Sequence, residues 1–211
     1  MKIAGIILAA GESSRMGRDK ALLPLGGQTF LEHLAKVLDG EVAPLVVVLG
    51  HHAAEIEQQV RLPSSVRILR NPDYHLGQLS SLHVALRGLA GLGVEGALVC
   101  LVDHPAITKQ VVGAVVGRFQ KSQANILIPT WQGRRGHPVL FSSRVFEELL
   151  AAPINQGARA VVRRHANEVE YVEVYEEGIL WDVDRPEDYA ALQSRWASLN
   201  RAKPAPPEGR P

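Results

Sequence analysis

The sequence predicts an α/β fold in which a mostly parallel, mixed sheet is covered by helices on both faces. Short apolar runs alternate along the chain with stretches of helical character, which is typical of folds built from βαβ units. The apolar runs are rich in Val, Ile and Leu and show little polar alternation, as expected for strands buried on both faces. Hydrophobic residues make up 46% of the chain and charged residues 21%, so the chain can bury a globular core.

Each predicted strand is a short apolar run, and the predicted helices lie between these runs. In chain order the predicted strands are 2–9, 44–49, 66–69, 97–102, 125–129, 138–141 and 169–174. The predicted helices are 30–38, 53–60, 79–89, 109–122, 144–151, 158–165 and 186–199. We expect one domain over residues 1–200 and a disordered tail over 201–211, because the tail is rich in proline and almost free of apolar residues.

The composition excludes several classes of protein. Lys and Arg number 23 against 22 Asp and Glu, so the net charge of +1 gives no overall attraction to nucleic acid or to a membrane. The single cysteine, Cys100, cannot form an intramolecular disulfide or a cysteine-ligated metal site, and we expect an inert core thiol. No apolar run reaches the roughly 18 to 20 residues of a membrane span, and the apolar N-terminus is interpreted as a strand rather than a signal peptide. These features favour the cytoplasm and confine any cationic site to a local cluster.

The loop after the first predicted strand has the composition of an anion site. It combines glycine and small residues with three cations, Arg15, Arg18 and Lys20. Small residues let backbone N–H groups approach a phosphate, and the cations neutralise its charge. The loop matches neither the P-loop pattern nor the Gly-x-Gly-x-x-Gly pattern, so neither of those nucleotide folds is indicated.

The string Leu8-Ala9-Ala10-Gly11-x-Ser13-x-Arg15-Met16-Gly17-x-x-Lys20 resembles the signature of the nucleotidyltransferase family that includes the molybdenum cofactor guanylyl- and cytidylyltransferases. The resemblance implies a Rossmann-like three-layer sandwich of the nucleotide-diphospho-sugar transferase type. It also implies that the small-residue turn binds base and ribose, and that Arg15 and Lys20 bind the triphosphate, whereas Arg18 has no fixed role. The residues of this segment expected to bind nucleotide are Leu8, Ala9, Ala10, Gly11, Glu12, Ser13, Arg15 and Lys20.

A second candidate segment follows the third predicted strand. Gly77 leads into a helix whose first turn offers side chains and free N–H groups for a nucleotide, although a serine there can equally be a helix cap. Similar transferases carry Asn-Pro followed by Gly-x-x-Ser-Ser-Leu at this point, lining the nucleotide pocket. The residues expected to bind nucleotide here are Asn71, Gly77, Gln78, Ser80 and Ser81.

Three carboxylates are candidate ligands for Mg²⁺. Asp103 ends the fourth long predicted strand, where a hard cation can be bound in front of a triphosphate. Asp182 and Asp184 alternate just before the last helix, so one or both can complete the site. Similar cytidylyltransferases have a threonine where Arg185 stands, so Asp184 can alternatively be the helix cap. The role of His104 stays open between a contact to the site and a surface residue.

The turn 132–138 is expected to face the acceptor of the reaction. An arginine pair at a hairpin tip is ordinarily a solvated turn, but Arg135-Gly136-His137-Pro138 resembles the corresponding stretch of the molybdopterin cytidylyltransferases. Arg135 and His137 are therefore the candidate ligands of the acceptor phosphate, with Arg134 a weaker candidate. The remaining histidines show no metal-ligand spacing and are interpreted as structural or surface residues; they are His33, His51, His52, His83 and His165.

The expected reaction is Mg²⁺-dependent transfer of CMP from CTP to the terminal phosphate of molybdopterin. Leu-Ala-Ala-Gly rather than Leu-Ala-Gly-Gly favours CTP over GTP. The alternatives are GTP as donor, a different phosphorylated acceptor, an NAD(P)H-dependent oxidoreductase of the same fold, and a non-catalytic molybdopterin carrier. A molybdoenzyme maturation chaperone is a further partner to consider, and neither a nucleic acid nor a membrane partner is expected.

Overall fold

The computed structural model describes residues 1–201, in which a mixed sheet separates two layers of helix. The strands are β1 (Ile3–Ala9), β2 (Pro24–Leu25), β3 (Gln28–Thr29), β4 (Leu45–Leu49), β5 (Arg67–Arg70), β6 (Gly96–Leu101), β7 (Ile126–Trp131), β8 (Arg134–Arg135), β9 (Val139–Ser142) and β10 (Val169–Glu173). The α-helices are α1 (Phe30–Leu38), α2 (Ala53–Gln59), α3 (Gln78–Leu89), α4 (Lys109–Phe119), α5 (Phe146–Ala151), α6 (Arg159–Arg164) and α7 (Pro186–Arg201).

Every predicted strand and helix is present, with ends that differ by a few residues. The sequence prediction missed β2, β3 and β8, which have two residues each and therefore leave no hydrophobic period to detect. Helix α7 extends to Arg201, the first residue of the predicted tail. The rest of that tail, residues 202–211, lies outside the described residues.

The order of the strands in the main sheet brings the candidate residues to one edge. The order is β10-β7-β9-β6-β1-β4-β5, and β8 pairs with β7. Strand β9 is antiparallel to both β6 and β7, whereas β4, β5 and β6 run parallel to β1. The first residue of β9 therefore lies at the same edge as the last residues of the parallel strands. Ligands bind at this carboxyl edge in open α/β sheets.

Alternate residues of β1 fill two hydrophobic cores, one on each face of the sheet. Ile7 belongs to the core that includes side chains of α1 and α4, whereas Ile6 belongs to the core that includes side chains of α3, α5 and α6. Both isoleucines are completely buried, and such burial stabilises the fold by about 1.5–3 kcal/mol for each side chain. This double coverage explains the continuous apolar runs of the sequence. Cys100 lies in the first of these cores, where burial raises the pKa of its thiol.

The described helices are too short or too polar to cross a lipid bilayer.

Candidate active site

The loop between β1 and Lys20 is held in one conformation by its own hydrogen bonds. The backbone N–H groups of Met16 and Gly17 donate to the carbonyl of Ser13, at 2.9 and 3.1 Å. The Ser13 hydroxyl accepts a hydrogen bond from the backbone N–H of Lys20 at 3.1 Å. The Met16 side chain is buried in the core and anchors the loop. The loop thus presents its small residues and the Lys20 side chain to a cavity at the carboxyl edge of the sheet.

Lys20 joins two carboxylates that are far apart in the sequence. Its Nζ atom lies 2.6 Å from Asp184 Oδ1 and 3.3 Å from Asp103 Oδ2. Asp184 Oδ2 in turn lies 2.9 Å from a guanidinium nitrogen of Arg15. The hydrogen bond from Lys20 lowers the pKa of the Asp184 carboxyl, and the charge of Arg15 adds to this effect. The site therefore holds two cations beside two carboxylates, all accessible from one cavity.

The arrangement of the carboxylates fits a divalent metal ion. Asp103 Oδ1 is buried and has no hydrogen-bond partner among the described residues. A buried carboxylate oxygen without a partner is costly unless a ligand binds it, and oxygen atoms are the ligands that Mg²⁺ prefers. The backbone N–H of Val183 donates to the Asp103 carbonyl at 2.8 Å, which fixes Asp184 next to Asp103. Asp103 and Asp184 are thus the pair that can hold the ion.

The structure distinguishes the two alternating carboxylates before α7. Both oxygens of Asp184 contact cations, whereas Asp182 is exposed and lines a neighbouring cavity. The backbone N–H groups of Asp184 and Arg185 donate to Asp188 Oδ2, at 3.1 and 2.8 Å. Asp188, rather than Asp184, therefore accepts the backbone hydrogen bonds at the start of α7. The Asp184 side chain is thus available to the candidate active site.

The loop after β5 is organised around the buried Asn71. Its Nδ2 atom donates to the hydroxyl oxygens of Ser80 and Ser81, at 2.8 and 2.9 Å, and its Oδ1 atom accepts from the backbone N–H of Asp73 at 3.0 Å. The Ser80 hydroxyl also contacts the carbonyl of Gly77 at 2.7 Å. These bonds fix the start of α3, so Asn71 and Ser80 support the loop from behind.

The first cavity has a volume of about 270 Å³. It lies between the loop after β1, the start of α3, the end of β6 and the segment that precedes α7. The predicted residues that line it are Leu8, Ala9, Ala10, Gly11, Ser13, Arg15, Lys20, Gly77, Gln78, Ser81, Asp103 and Asp184. Glu12, Asn71 and Ser80 do not line it. Tyr74, Ile56 and Asp19 also line it, although the sequence analysis did not select them.

A second cavity of about 770 Å³ adjoins the first, and Asp103 and Asp184 lie on the walls of both. Its far side is formed by the turn before β9 and by the segment that leads into α6. Arg135 and His137 line it, as do Arg159 and Arg163. The arginines lie on the far side and the shared aspartates of the lining lie where the two cavities meet, so the far side suits an anionic group of a ligand that meets the first ligand at the two aspartates.

The second cavity also contains a pair of histidines. The ring centroids of His104 and His137 lie 4.5 Å apart, and the Nδ1 atom of each is buried without a hydrogen-bond partner among the described residues. Burial lowers the pKa of both imidazoles, to about 3 for His137, where the neighbouring His104 and Arg159 add to the shift. Both rings are therefore neutral at pH 7. His104, whose role the sequence left open, is a wall residue of this cavity.

The position of His137 depends on the glycine before it. A side chain at Gly136 would lie 2.5 Å from the carbonyl oxygen of Ile179, so only glycine fits. The backbone N–H of Gly136 donates to Pro129 at 2.9 Å, and that of His137 donates to Ile179 at 3.0 Å. The Arg135 guanidinium lies 4.7 Å from the ring centroid of Tyr171, in a cation–π contact. Arg134 is exposed on β8 and does not line the cavity.

Arg159 and Arg163 are cavity residues that the sequence analysis missed. They are four residues apart on α6 and therefore lie on the same face of that helix. The available signal was a cluster of arginines after Gly157, which has a positive φ of 65° and turns the chain into the helix. Nothing in the sequence links that cluster to the aspartates, since the sheet order brings them together.

Comparison with known proteins identifies a family. The family model for the MobA-like NTP transferase domain matches residues 5–169. A probable molybdenum cofactor guanylyltransferase of Mycobacterium bovis (strain BCG / Pasteur 1173P2) is 40% identical over 134 residues, which cover 63% of this chain and 63% of that protein. A protein with the same name from Mycobacterium avium (strain 104) is 31% identical over 197 residues, which cover 91% of this chain and 95% of that protein. The first of these matches thus spans less than two thirds of the relative's length.

Solved structures show the same fold. The crystal structure of the Rv0371c homologue from Mycobacterium sp. strain JC1 superposes with a TM-score of 0.81 and 31% identity, over 94% of this chain and 100% of that one. The manganese complex of Rv0371c from Mycobacterium tuberculosis H37Rv gives a TM-score of 0.76 and 25% identity, over 92% and 99% of the two chains. The predicted nucleotide-diphospho-sugar transferase fold is confirmed, and with it the family that the motif after β1 indicated. The chain belongs to the family of MobA-like NTP transferase domains.

Proposed function

We propose that this protein transfers a nucleotidyl group from a nucleoside triphosphate to the terminal phosphate of a molybdopterin-type acceptor and releases pyrophosphate. The observation that carries the proposal is the pair of adjoining cavities that share Asp103 and Asp184 as walls. One cavity has the loop and cations of a triphosphate site, and the other is larger and has arginines that suit a phosphorylated acceptor. The names of the curated relatives also support a molybdenum cofactor substrate.

The nucleotide occupies the first cavity in this proposal. The small residues Ala9, Ala10 and Gly11 allow the base and ribose to approach the backbone, and Arg15 and Lys20 bind the triphosphate. Both cations contact Asp184 in the structure, so binding of the triphosphate exchanges part of those contacts for phosphate oxygens. The cations stabilise the negative charge that develops on the departing pyrophosphate.

The reaction needs alignment and charge neutralisation rather than a protein nucleophile. An oxygen of the acceptor phosphate attacks the α-phosphorus, a new P–O bond forms there, and the bond to the β-phosphate oxygen breaks. The acceptor phosphate is already ionised at pH 7, so no side chain has to remove a proton. This agrees with His104 and His137, which are neutral and lie against each other with their rings inclined by 45° instead of being paired with a carboxylate.

Asp103 and Asp184 would hold a divalent ion, and Mg²⁺ is our choice because the available ligand atoms are carboxylate oxygens. When bound, such an ion neutralises phosphate charge at the point of transfer. A manganese complex of the similar Rv0371c protein supports a divalent metal in general. In this proposal Asp182 lines the second cavity and is not one of the metal ligands. Lys20 pairs with Asp103 and Asp184 instead.

The acceptor occupies the second cavity, with its phosphate directed toward the shared aspartates. Arg135, Arg159 and Arg163 supply the positive charge on that side. The His104–His137 pair offers neutral ring surface, which suits a flat heterocycle more than a phosphate. The earlier expectation that His137 binds phosphate is thereby refined, because burial holds the pKa of this imidazole near 3 and leaves the ring uncharged.

CTP is the proposed donor, and GTP is the second candidate because the curated relatives are named guanylyltransferases. The feature that favours CTP is the string Leu-Ala-Ala-Gly, in which Ala10 stands where the pattern Leu-Ala-Gly-Gly has glycine. Ala10 is buried and lines the first cavity. A pyrimidine is smaller than a purine and needs less space there.

The test measures pyrophosphate release with Mg²⁺ and each of CTP, GTP, ATP and UTP, in the presence and absence of molybdenum-loaded molybdopterin. We expect release that requires both CTP and the acceptor and that is abolished in Asp103→Ala. We also expect Ala10→Gly to raise the ratio of GTP to CTP use. Release that does not require molybdopterin would contradict the acceptor, and GTP preference by the unmodified protein would replace CTP with GTP.

A further inference from the structure

A group of potential metal ligands lies at the edge of the first cavity, apart from Asp103 and Asp184. It consists of Asp19 from the loop after β1 and of His51 and His52, which follow β4. One ligand atom from each side chain lies within 4.8 Å of the others. The sequence shows no metal-ligand spacing here, because Asp19 is far from the two histidines in the chain.

We propose that Asp19, His51 and His52 form a second cation site that takes a divalent first-row transition metal such as Zn²⁺. His52 Nδ1 lies 3.1 Å from Asp19 Oδ2, and His51 Nδ1 lies 4.0 Å from Asp19 Oδ1. Two atoms bound to one ion at 2.0–2.1 Å lie at most about 4.2 Å apart. The two separations to Asp19 are within this limit, and the ligand atoms as a set, which lie within 4.8 Å of one another, need to close by at most about 0.6 Å to share an ion.

The His51 ring provides an independent indication of a missing ligand. Its Nδ1 atom is buried and has no hydrogen-bond partner among the described residues, and 4.0 Å to the carboxylate is too long for a hydrogen bond. The ring itself is held in place by an edge contact with Tyr74, at a centroid distance of 5.7 Å. The nitrogen thus lies 4.0 Å from the Asp19 carboxylate without bonding to it, and in the tautomer protonated at Nε2 its lone pair is free for a cation.

The backbone around the histidines holds both rings close to the loop after β1. A side chain at Gly50 would lie 2.6 Å from the carbonyl oxygen of Ala10, so this glycine permits the close approach of the two segments. The backbone N–H of His51 donates to the same carbonyl at 3.1 Å. His52 has a positive φ of 50°, which directs its ring back toward Asp19. The three ligands are therefore positioned by the fold rather than by one flexible segment.

The donor set selects the class of ion. Two imidazole nitrogens and one carboxylate favour Zn²⁺, Co²⁺ or Ni²⁺ over Mg²⁺, which prefers oxygen ligands. The Asp103–Asp184 pair has the opposite preference. The two neighbouring sites would then bind different metals, and the transition-metal site would fasten the loop after β1 to the end of β4.

A bound ion would also change the charge that the cavity presents to a triphosphate. Asp19 lines the first cavity, where an uncompensated carboxylate repels phosphate. A divalent cation on this carboxylate reverses the local charge. This effect on nucleotide affinity rests on the proposed function, whereas metal binding itself does not.

The chain offers variants that remove each ligand with little other change. Asp19→Asn keeps the shape of the side chain, and His51→Phe keeps a ring against Tyr74. His52→Asn suits the positive φ, because asparagine tolerates the left-handed region better than most residues. His165→Ala is the matched control, since His165 also lies beside carboxylates, those of Glu148 and Glu168, but is not part of the proposed site.

The experiment is calorimetric titration of the metal-free full chain with Zn²⁺, without nucleotide, followed by the visible spectrum of the Co²⁺ form. We expect one Zn²⁺ per chain, retained in Asp103→Asn and His165→Ala and not displaced by excess Mg²⁺. Each of the three ligand variants should weaken Zn²⁺ binding at least about tenfold. The proposal is overturned if Zn²⁺ does not bind stoichiometrically, or if binding survives all three variants. If the unmodified protein binds Zn²⁺ but releases no pyrophosphate with any nucleotide, the proposed function fails and the metal site stands.

Discussion

The two cavities differ in how their charged groups are satisfied. In the first, Lys20 and Arg15 contact Asp103 and Asp184, so the cations are already paired before a ligand arrives. In the second, Arg159 and Arg163 line the wall without a carboxylate partner among the ion pairs of the described residues.

We infer from this difference that the first cavity contributes mainly to turnover and the second mainly to binding of the acceptor. Paired groups are held in place in advance, which favours the alignment of reacting phosphates. Exposed arginines adapt to a ligand and contribute mainly to its affinity. Variants in the first cavity should therefore lower turnover, and variants in the second should weaken binding of the acceptor.

Lys20→Ala tests the first half of this comparison and should have the largest effect. It removes the cation between Asp103 and Asp184, and we expect kcat/KM to fall about a thousandfold, the loss typical of a group that stabilises developing charge. The measurement is steady-state pyrophosphate release. Arg18→Ala is the matched control, since Arg18 is an exposed cation of the same loop that does not line the cavity. Activity within tenfold of the unmodified protein in Lys20→Ala would remove Lys20 from the mechanism.

Arg159→Ala tests the second half. Loss of one charge-assisted hydrogen bond should raise the KM for the acceptor about tenfold or more, with little change in the KM for the nucleotide. Arg164→Ala is the control on the same helix, because Arg164 pairs with Glu148 at 3.2 Å instead of lining the cavity. Equal effects of Arg159→Ala on both KM values would show that the cavities do not bind separate substrates.

The same difference explains how much of the molecule the sequence could predict. The strands and helices were predictable because each is a local pattern of apolar residues. The first cavity was largely predictable because most of its residues lie in one continuous motif, from Leu8 to Lys20. Asn71 and Ser80 were selected with that cavity, but their side chains bond to each other behind its wall.

The second cavity was less predictable because separate segments form it. His137 meets His104 because β9 is inserted antiparallel beside β6, a topology that no local pattern encodes. Arg159 reaches the same space from a helix later in the chain. The proximity of Asp19 to His51 and His52 depends likewise on the parallel pairing of β1 and β4.

The last expected effect concerns the stability of the folded protein and comes from the neutral histidine pair in the second cavity. His137 has a pKa of about 3 in the folded protein and an ordinary value of 6.5 when unfolded. Between these values the unfolded chain binds more protons, so the free energy of unfolding falls as the pH decreases below 6.5. The contribution of this group is at most about 1.4 kcal/mol per pH unit.

His137→Gln should therefore flatten the pH dependence of stability between pH 6.5 and 4.5, measured by urea unfolding at each pH. His165→Gln is a control of opposite sign. Hydrogen bonds to Glu148 and Glu168 raise the pKa of His165, so its contribution is present below pH 6.5 and is lost as the pH rises through the folded value. The His165 variant should leave the slope between pH 6.5 and 4.5 unchanged and should alter the pH dependence only above pH 6.5. If His137→Gln leaves the slope between pH 6.5 and 4.5 unchanged, burial does not hold His137 neutral, and the contrast between a charged first cavity and an uncharged ring surface in the second is wrong.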